Sequence, residues 1–531
     1  MKRLPVGFAA ALAVASWASA HEHPGEAPTA AQLGAVSLET SCKEPAKADL
    51  NRGVALLHSF WHNEAARAFE KAAAADPACA MAYWGQAMAS FHLYSSTPSA
   101  ADLEAVARAL KKAEAAREQT PRERAYISAV RALSVDVNPR KLDVAARRFA
   151  DTMRALTAKY PSDVEASAFY ALGLLASSPP GDLELVDSRQ AIAVLQPLFR
   201  QHPDHPGIVH YIIHASDNPH MAQDGLAAAR RYAAIAPAAP HALHMPSHIF
   251  ARLGLWEEDI ASNLASKAAS ENTQGMRVGA ENRLHAMEFL QYAYLQTGQY
   301  DEAKAIADEA RTIKSSETPY NDYYLTVEAR FGALLAIETR DWAMAANLQP
   351  VPGAHWYSES QTLLARVMAA GHARDAQASK AALDRFGEIA AKVPVWPVGS
   401  SAANLRDEIQ AWDAFAHRDA PRAITLLRPV ADRQAKAGKG EVELPAREML
   451  AEMLLLDGKA ADALTEYEQS LRSDPNRFNG LLGAAKAAEA AGHRDVAVKY
   501  YRQLAANTQH ASGAARKMVD SFRSEAAPPK Q

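Results

Sequence analysis

The chain has 531 residues, of which 49% are hydrophobic, and 57 basic against 61 acidic side chains give a formal charge of 57 − 61 = −4. This near-neutral balance excludes a general nucleic-acid-binding protein, which would carry a basic excess. After residue 20 no run approaches the roughly 18 consecutive apolar residues of a membrane span, so none is predicted. Abundant alanine and few aromatic residues (7%) favour helix-on-helix packing over sheets.

The first twenty residues have the organisation of a secretory signal peptide. A short positive start (1–3, Met-Lys-Arg) is followed by an apolar run at 6–15 and by the small residues Ala-Ser-Ala at 18–20. Small residues in that place are typical of a cleavage site. We therefore predict that residues 1–20 are removed and that the protein is periplasmic or secreted.

Cleavage after Ala20 would make His21 the amino terminus, with His23 in the third position. A free amine, two amide nitrogens and a third-position imidazole can bind copper(II) or nickel(II) in a square plane. His21 and His23 are therefore a candidate second metal site. The alternative is a flexible polar segment that binds nothing.

Cys42 and Cys79 are the only cysteines of the chain. Cys42 lies in residues 21–44, which we predict to be a linker. In an exported protein a lone pair favours a disulfide bond, here with a separation of 79 − 42 = 37 residues. Two buried free thiols are the alternative, and the count excludes a four-cysteine zinc site.

A helix–turn–helix pattern repeats every 34 residues along the chain. Near the C-terminus three positions recur at this spacing: Gly458 and Gly492, Ala463 and Ala497, and Tyr467 and Tyr501. The small residue lets two helix backbones approach, and the aromatic ring fills the groove beside it. The same order of glycine, alanine and aromatic residue is found around residues 53–69, and the unit recurs around residues 290–310 with Tyr294 before Gly298 and Ala303.

This unit resembles the tetratricopeptide repeat (TPR). The resemblance implies an all-α, right-handed α-solenoid, in which the first helix of each pair lines a concave groove. Three strings are similar to those of exported bacterial TPR proteins of no established activity: 56–61 (LLHSFW), 76–85 (DPACAMAYWG) and 241–254 (HALHMPSHIFARLG). We predict an N-terminal solenoid over 45–313, irregular helical repeats over 314–402, C-terminal TPR repeats over 403–523 and a disordered tail over 524–531.

Histidines are concentrated in one part of the N-terminal solenoid. His210 and His214 are four residues apart, and so are His244 and His248. On a helix this spacing places both rings on one face, with Cβ atoms about 5–6 Å apart, which suits two ligands of one metal ion. Each member of the second pair follows its counterpart by 34 residues, so the pairs occupy equivalent positions in adjacent repeats.

Three further residues lie close to these pairs in the repeat register, namely His241, His285 and Glu288. Neighbouring helices pack about 8–10 Å apart, so the seven side chains could converge on a transition metal such as zinc, copper or iron. A groove that binds a carboxylate without metal is the alternative. Another pair, His58 and His62, belongs to the first repeat and, unless the superhelix curls tightly, is predicted to be a separate packing and capping feature.

No P-loop, GxGxxG, GxSxG or EF-hand motif is present, so no nucleotide cofactor is predicted. Glu448 and Glu452 are interpreted as a solvated acidic pair. The leading hypothesis is an exported solenoid that binds an envelope protein or peptide in its groove and a transition metal through its histidines. The alternatives are a metal-free scaffold and a periplasmic metalloenzyme (hydrolase or oxidoreductase) with Glu288 or Asp217 as base or further ligand.

Overall fold

Every regular element in the described part of the chain is a helix. The computed structural model describes residues 28–138, 141–179, 182, 184–272, 279–313, 323–393, 401–440 and 442–525. The predicted signal peptide (1–20), His21, His23 and most of the predicted tail lie outside these residues. None of the described helices is both long and apolar enough to cross a membrane.

The helices follow one another with short connections. A 3-10 helix (Ala30–Gln32) precedes α1 (Ala46–His58), α2 (His62–Ala75), α3 (Ala80–Phe91), α4 (Ala100–Ala115), α5 (Pro121–Ser134), α6 (Leu142–Lys159), α7 (Val164–Ser177), α8 (Val186–Gln201), α9 (Pro206–Ser216), α10 (Ala222–Ile235), α11 (Pro240–His244), α12 (Pro246–Leu253) and α13 (Trp256–Asn272). The second half contains α14 (Gly279–Gln296), α15 (Tyr300–Ala310), α16 (Tyr323–Glu338), α17 (Trp342–Asn347), α18 (Trp356–Ala373), α19 (Ala376–Ala390), α20 (Ser401–Ala416), α21 (Ala420–Ala437), α22 (Ala446–Leu456), α23 (Ala460–Ser473), α24 (Phe478–Ala490), α25 (Arg494–Asn507) and α26 (Gly513–Glu525). Consecutive helices pack against each other along most of this series. The predicted all-α solenoid is confirmed.

Small residues facing aromatic rings allow the close packing of these helices. Phe69 of α2 is fully buried, and a Cβ atom added to Gly53 of α1 or Gly85 of α3 would lie 2.5 or 2.4 Å from its ring. Near the C-terminus, a Cβ on Gly483 would lie 2.2 Å from the ring of Tyr467. The small-residue and aromatic pattern of the sequence is therefore a packing device between neighbouring helices.

The superhelix curls tightly, so repeats that are far apart in sequence come into contact. Helix α1 packs against α9, and α14 packs against α24. Trp256 Nε1 donates to the carbonyl of Asn476 (2.8 Å), and the amide of Ser512 donates to the carbonyl of Gly298 (2.9 Å). The C-terminal repeats thus close back onto the middle of the chain.

The segment before α1 is attached to the core rather than extended away from it. Leu33 and Leu38 are buried among the helices of the N-terminal half. Cys42 and Cys79 form a disulfide bond with Cα atoms 4.7 Å apart, as the cysteine count predicts. Residues 28–44, predicted as a linker, therefore belong to the packed domain, because apolar anchors and a covalent bond hold them there.

Loss of this disulfide is expected to destabilise the fold. The bond closes a loop with a separation of 37 residues. It lowers the conformational entropy of the unfolded chain and so raises the free energy of unfolding by about 3–4 kcal/mol. Urea unfolding with and without reductant will measure the difference in the free energy of unfolding. The Cys42→Ser, Cys79→Ser double variant is the control: it should match the reduced protein and be insensitive to reductant.

Candidate metal centre

Two neighbouring repeats and one later helix supply six histidines to one region. α9 begins at Pro206, whose missing N–H costs nothing at the first turn of a helix. Between α11 and α12, Met245 keeps helical angles (φ −53°, ψ −33°), so the two short helices continue one another. The i, i+4 relation predicted for both pairs is therefore kept. The six histidines are His210 and His214 on α9, His241 and His244 on α11, His248 on α12 and His285 on α14.

The first histidine group consists of His210, His214 and His241. The Nε2 atom of His210 lies 3.0 Å from Nε2 of His214 and 3.1 Å from Nε2 of His241. One nitrogen from each of the three rings lies within 4.8 Å of the other two. The three rings therefore direct nitrogen atoms to a common point.

The second histidine group consists of His244, His248 and His285. Nε2 of His244 is 3.0 Å from Nε2 of His248, and the ring centroids of His244 and His285 are 4.4 Å apart. This group also brings three nitrogens within 4.8 Å of one another. The two groups adjoin, because His241 and His244 lie on the same short helix with ring centroids 6.3 Å apart.

Hydrogen-bond acceptors hold the other ring nitrogen of three of these histidines. Nδ1 of His210 donates to the carbonyl of His58 (2.6 Å). Nδ1 of His244 donates to Oδ1 of Asn263 (2.7 Å), and Nδ1 of His248 donates to the carboxylate of Asp217 (2.8 Å). A neutral imidazole protonated on Nδ1 presents a lone pair on Nε2. This is the arrangement that orients histidine ligands in metal sites.

Four of the six rings are kept neutral by their surroundings. Burial, with the neighbouring imidazoles, lowers the pKa values of His210, His214, His241 and His244 well below 6.5. His248 is one of the neighbours that disfavours protonation of the rings in the first histidine group. The two groups are therefore electrostatically coupled.

The acidic side chains beside the histidines are paired with arginines. Asp217 accepts from Arg252 Nε (2.8 Å) as well as from His248. Although burial opposes its ionisation, these two partners keep the pKa of Asp217 well below its usual value. Glu288, predicted among the ligands, is paired with Arg330 (2.9 Å), and its other oxygen lies 3.4 Å from Nδ1 of His285. It therefore lies beside the second group.

An aromatic side chain from the first repeat covers the first histidine group. The Phe60 ring centroid is 4.5 Å from that of His210, 5.6 Å from His214 and 5.5 Å from His241. Phe60 sits in the turn after α1 with φ at 53°, a left-handed conformation. The sequence predicts a separate first repeat only if the superhelix does not curl tightly; it does curl tightly, and it brings this turn onto α9.

No family model and no curated protein matches the chain. Among solved structures it is similar to the TPR domain of P58(IPK), with 13% identity over 90% of this chain and 98% of that chain and a TM-score of 0.19. It is also similar to the Naa15/Naa10 structure bound to HypK-THB, with 13% identity over 90% and 86% of the chains and a TM-score of 0.27. The 34-residue helix pairs and their small-residue packing are observations on this chain itself. The chain is a TPR-like helical-repeat protein.

A third cluster in the TPR-like protein is a closed hydrogen-bond network. Glu165 accepts from Nε2 of His58 (2.7 Å) and from Nε2 of His205 (2.9 Å). Nδ1 of His58 accepts from the Tyr211 hydroxyl (2.9 Å), and Nδ1 of His205 accepts from the amide of Ile208 (3.2 Å). All four ring nitrogens make hydrogen bonds within this cluster, so it needs no metal to satisfy them. The network also holds His58 in place, whose carbonyl accepts from His210.

The structure thus brings together all six predicted histidines, in two groups of three rather than one set. His62 diverges from His58 and contacts Ser95 Oγ (2.9 Å), consistent with a structural role. Sequence reasoning did not identify Phe60 and Asn263, which contact the rings only through tertiary packing. It also misjudged Glu448 and Glu452: both are buried, facing Arg477 and Arg340 respectively, and are not solvated.

Proposed function

We propose that this TPR-like protein binds two transition-metal ions, one in each histidine group. The observation that carries the proposal is the pair of Nε2 atoms of His244 and His248, 3.0 Å apart, while both Nδ1 atoms donate to acceptors. When both rings are neutral, their Nε2 lone pairs point toward each other, and a cation between them replaces this repulsion with two bonds.

The nitrogen spacing also supports a shared ion. Zn–N bonds of about 2.0–2.1 Å place two nitrogens of a tetrahedral ion about 3.3–3.4 Å apart. The Nε2 separations of 3.0 and 3.1 Å in the two groups are within a few tenths of an ångström of that value. Imidazole ligands suit zinc, copper and iron alike.

Three protein ligands per ion leave a coordination position for water or another molecule. A saturated four-histidine set would be a closed structural site, whereas three ligands and an open position are typical of reactive sites. The scaffold around the centre is a helical-repeat solenoid, an architecture with an extended surface for protein partners. An envelope protein or peptide as the partner, and export through residues 1–20, are part of the same proposal; the Cys42–Cys79 disulfide supports an oxidising compartment.

Metal stoichiometry tests the proposal. The full chain without an affinity tag, stripped with chelator, is titrated with Zn²⁺ by calorimetry and with Co²⁺ by visible absorption. We expect two ions per chain, a raised Tm, and the cobalt spectrum of a nitrogen-ligated site. Neither binding nor a Tm change with Zn²⁺, Cu²⁺ or Fe²⁺ would falsify the proposal and would leave a proton shared between the rings as the explanation.

Asp217→Asn should weaken metal binding in the second histidine group only. The carboxylate orients His248 and raises its basicity, and loss of such a partner typically costs 10–100-fold in metal affinity. Competition with a chromophoric chelator will measure both affinities. Asp224→Asn, an exposed acid on the following helix, is the matched control. Equal metal affinities in the two variants would show that Asp217 pairs with Arg252 but does not support metal binding through His248.

A further inference from the structure

A cavity lies among α14, α16, α18 and α20, bordered by residues 442–444, and shares Glu288 and Arg330 with the surroundings of the second histidine group. Its volume is about 60 Å³, and its mouth opens to solvent. Its apolar lining includes Phe331, Leu334 and Ile337 of α16 and Leu364 of α18. Such a space can hold the head group and first carbons of a small molecule whose apolar body extends into the open mouth.

The polar lining of the cavity offers hydrogen-bond acceptors. Gln291 is fully buried, and its Nε2 atom donates to the carbonyl of Phe331 (3.2 Å). Its Oε1 atom has no hydrogen-bond partner within the described residues, and the same holds for Oε1 of Gln361. Buried acceptors are normally satisfied, so two such oxygens at one cavity point to a ligand that carries N–H or O–H donors.

The charged lining is acidic. The charged residues that line the cavity are Glu288, Glu408, Glu443 and Arg330. Glu288 and Arg330 pair with each other (2.9 Å). Glu408 and Glu443 are therefore left without an oppositely charged residue in the cavity lining. Of the basic side chains beyond the lining, Arg433 contacts Asp407 (3.3 Å) and Lys439 contacts Asp474 (3.5 Å).

The side-chain oxygens of the two remaining carboxyl groups accept hydrogen bonds from uncharged groups, while Arg433 attracts Glu408 and Lys439 attracts Glu443 electrostatically. Glu408 is 6% exposed and accepts from Gln434 Nε2 (3.3 Å). Glu443 accepts from the Tyr357 hydroxyl and from the amide of Gly440 (3.1 Å). Burial, with Glu443 nearby, raises the pKa of Glu408 well above its usual value. A bound cation would favour the ionised form of Glu408 and so oppose the effects of burial and of Glu443 on its pKa.

We infer that this cavity binds a small organic cation, a primary amine or similar N–H-rich head group on an apolar body. The head group donates to Oε1 of Gln291 and Gln361, and its charge lies near Glu408 and Glu443. The apolar body packs against α16. None of the six histidines of the metal centre lines this site.

Three probes of matched shape test the inference: phenethylamine, phenethyl alcohol and hydrocinnamate, which are cationic, neutral and anionic at neutral pH. Calorimetric titration of the full chain should show the amine binding roughly tenfold or more tightly than the alcohol, and the anion binding most weakly. Equal binding of all three, preference for the anion, or no binding of the amine at millimolar concentration would overturn it.

Variants locate the binding. Glu408→Gln removes a charge, and Gln291→Leu removes an acceptor. Each should lower the affinity for the amine at least fivefold and leave the affinity for the alcohol within about twofold of its original value. Gln377→Leu, an exposed glutamine of α19, should change neither. Circular dichroism checks the fold of each variant, and Glu408→Gln decides the outcome if Gln291→Leu does not fold. Unchanged amine affinity in Glu408→Gln would contradict the assignment.

Discussion

His210→Ala will leave the protein with one bound ion instead of two, and His244→Ala will do the same at the other histidine group. Each substitution removes a ligand whose Nε2 atom faces the remaining rings. A four-ligand structural zinc site has a binding free energy of roughly 10–16 kcal/mol, or about 3 kcal/mol per ligand. Loss of one ligand should therefore weaken the affected ion about 100-fold or more.

The experiment is a zinc titration of both single variants and of the double variant, which should bind no ion tightly. His220→Ala is the matched control, because His220 is exposed in the same region and belongs to neither group. If each single variant still binds two ions with unchanged affinity, the histidine groups are not the metal sites. If each single variant loses both ions, the two groups form one inseparable site.

Arg477→Met should be the most destabilising single substitution in the C-terminal half. Arg477 is 1% exposed and donates to Glu338 (2.7 Å) and Glu448 (2.8 Å), and it also contacts the Tyr292 hydroxyl. Although burial opposes ionisation, Arg477 keeps the pKa of Glu338 below its usual value. Removing one partner of a buried ion pair typically costs about 3–5 kcal/mol, and urea unfolding will measure that loss.

Two further measurements distinguish this loss from a packing defect. Without Arg477, burial raises the folded-state pKa of the carboxyl groups above the unfolded value, so the destabilisation should shrink as pH falls and the groups become protonated. The Glu338→Gln, Glu448→Gln, Arg477→Met triple variant should recover much of the stability. Arg472→Met, an exposed arginine of α23, should change it by less than about 0.5 kcal/mol. A pH-independent loss would indicate packing instead.

The repeat and the histidine pairs could be predicted because both are encoded locally. Helical periodicity fixes the face of residues four apart, and a 34-residue repeat places His210 and His244 at equivalent positions. Those two regularities required no knowledge of the tertiary structure. They correctly predicted that the rings would come together, and the repeat register correctly included His241 and His285.

The division into two groups could not be predicted, since it depends on how the superhelix curls. Phe60 and the carbonyl of His58 reach α9 across about 150 residues of sequence, and no local pattern encodes that approach. Glu288 was assigned by register alone, but its pairing with Arg330 follows from how α16 packs on α14. The buried state of Glu448 likewise depends on Arg477, which follows a turn that the sequence marks only as a break between repeats.

The five-residue helix α11 contributes one ring to each histidine group, His241 to the first and His244 to the second. The two ion positions are therefore neighbours, and two divalent cations at neighbouring positions repel each other. Filling of the second position should consequently need a higher metal concentration than filling of the first, with half-loaded molecules at intermediate metal concentrations. A protein built this way would respond to metal supply over a broader concentration range than two independent sites could.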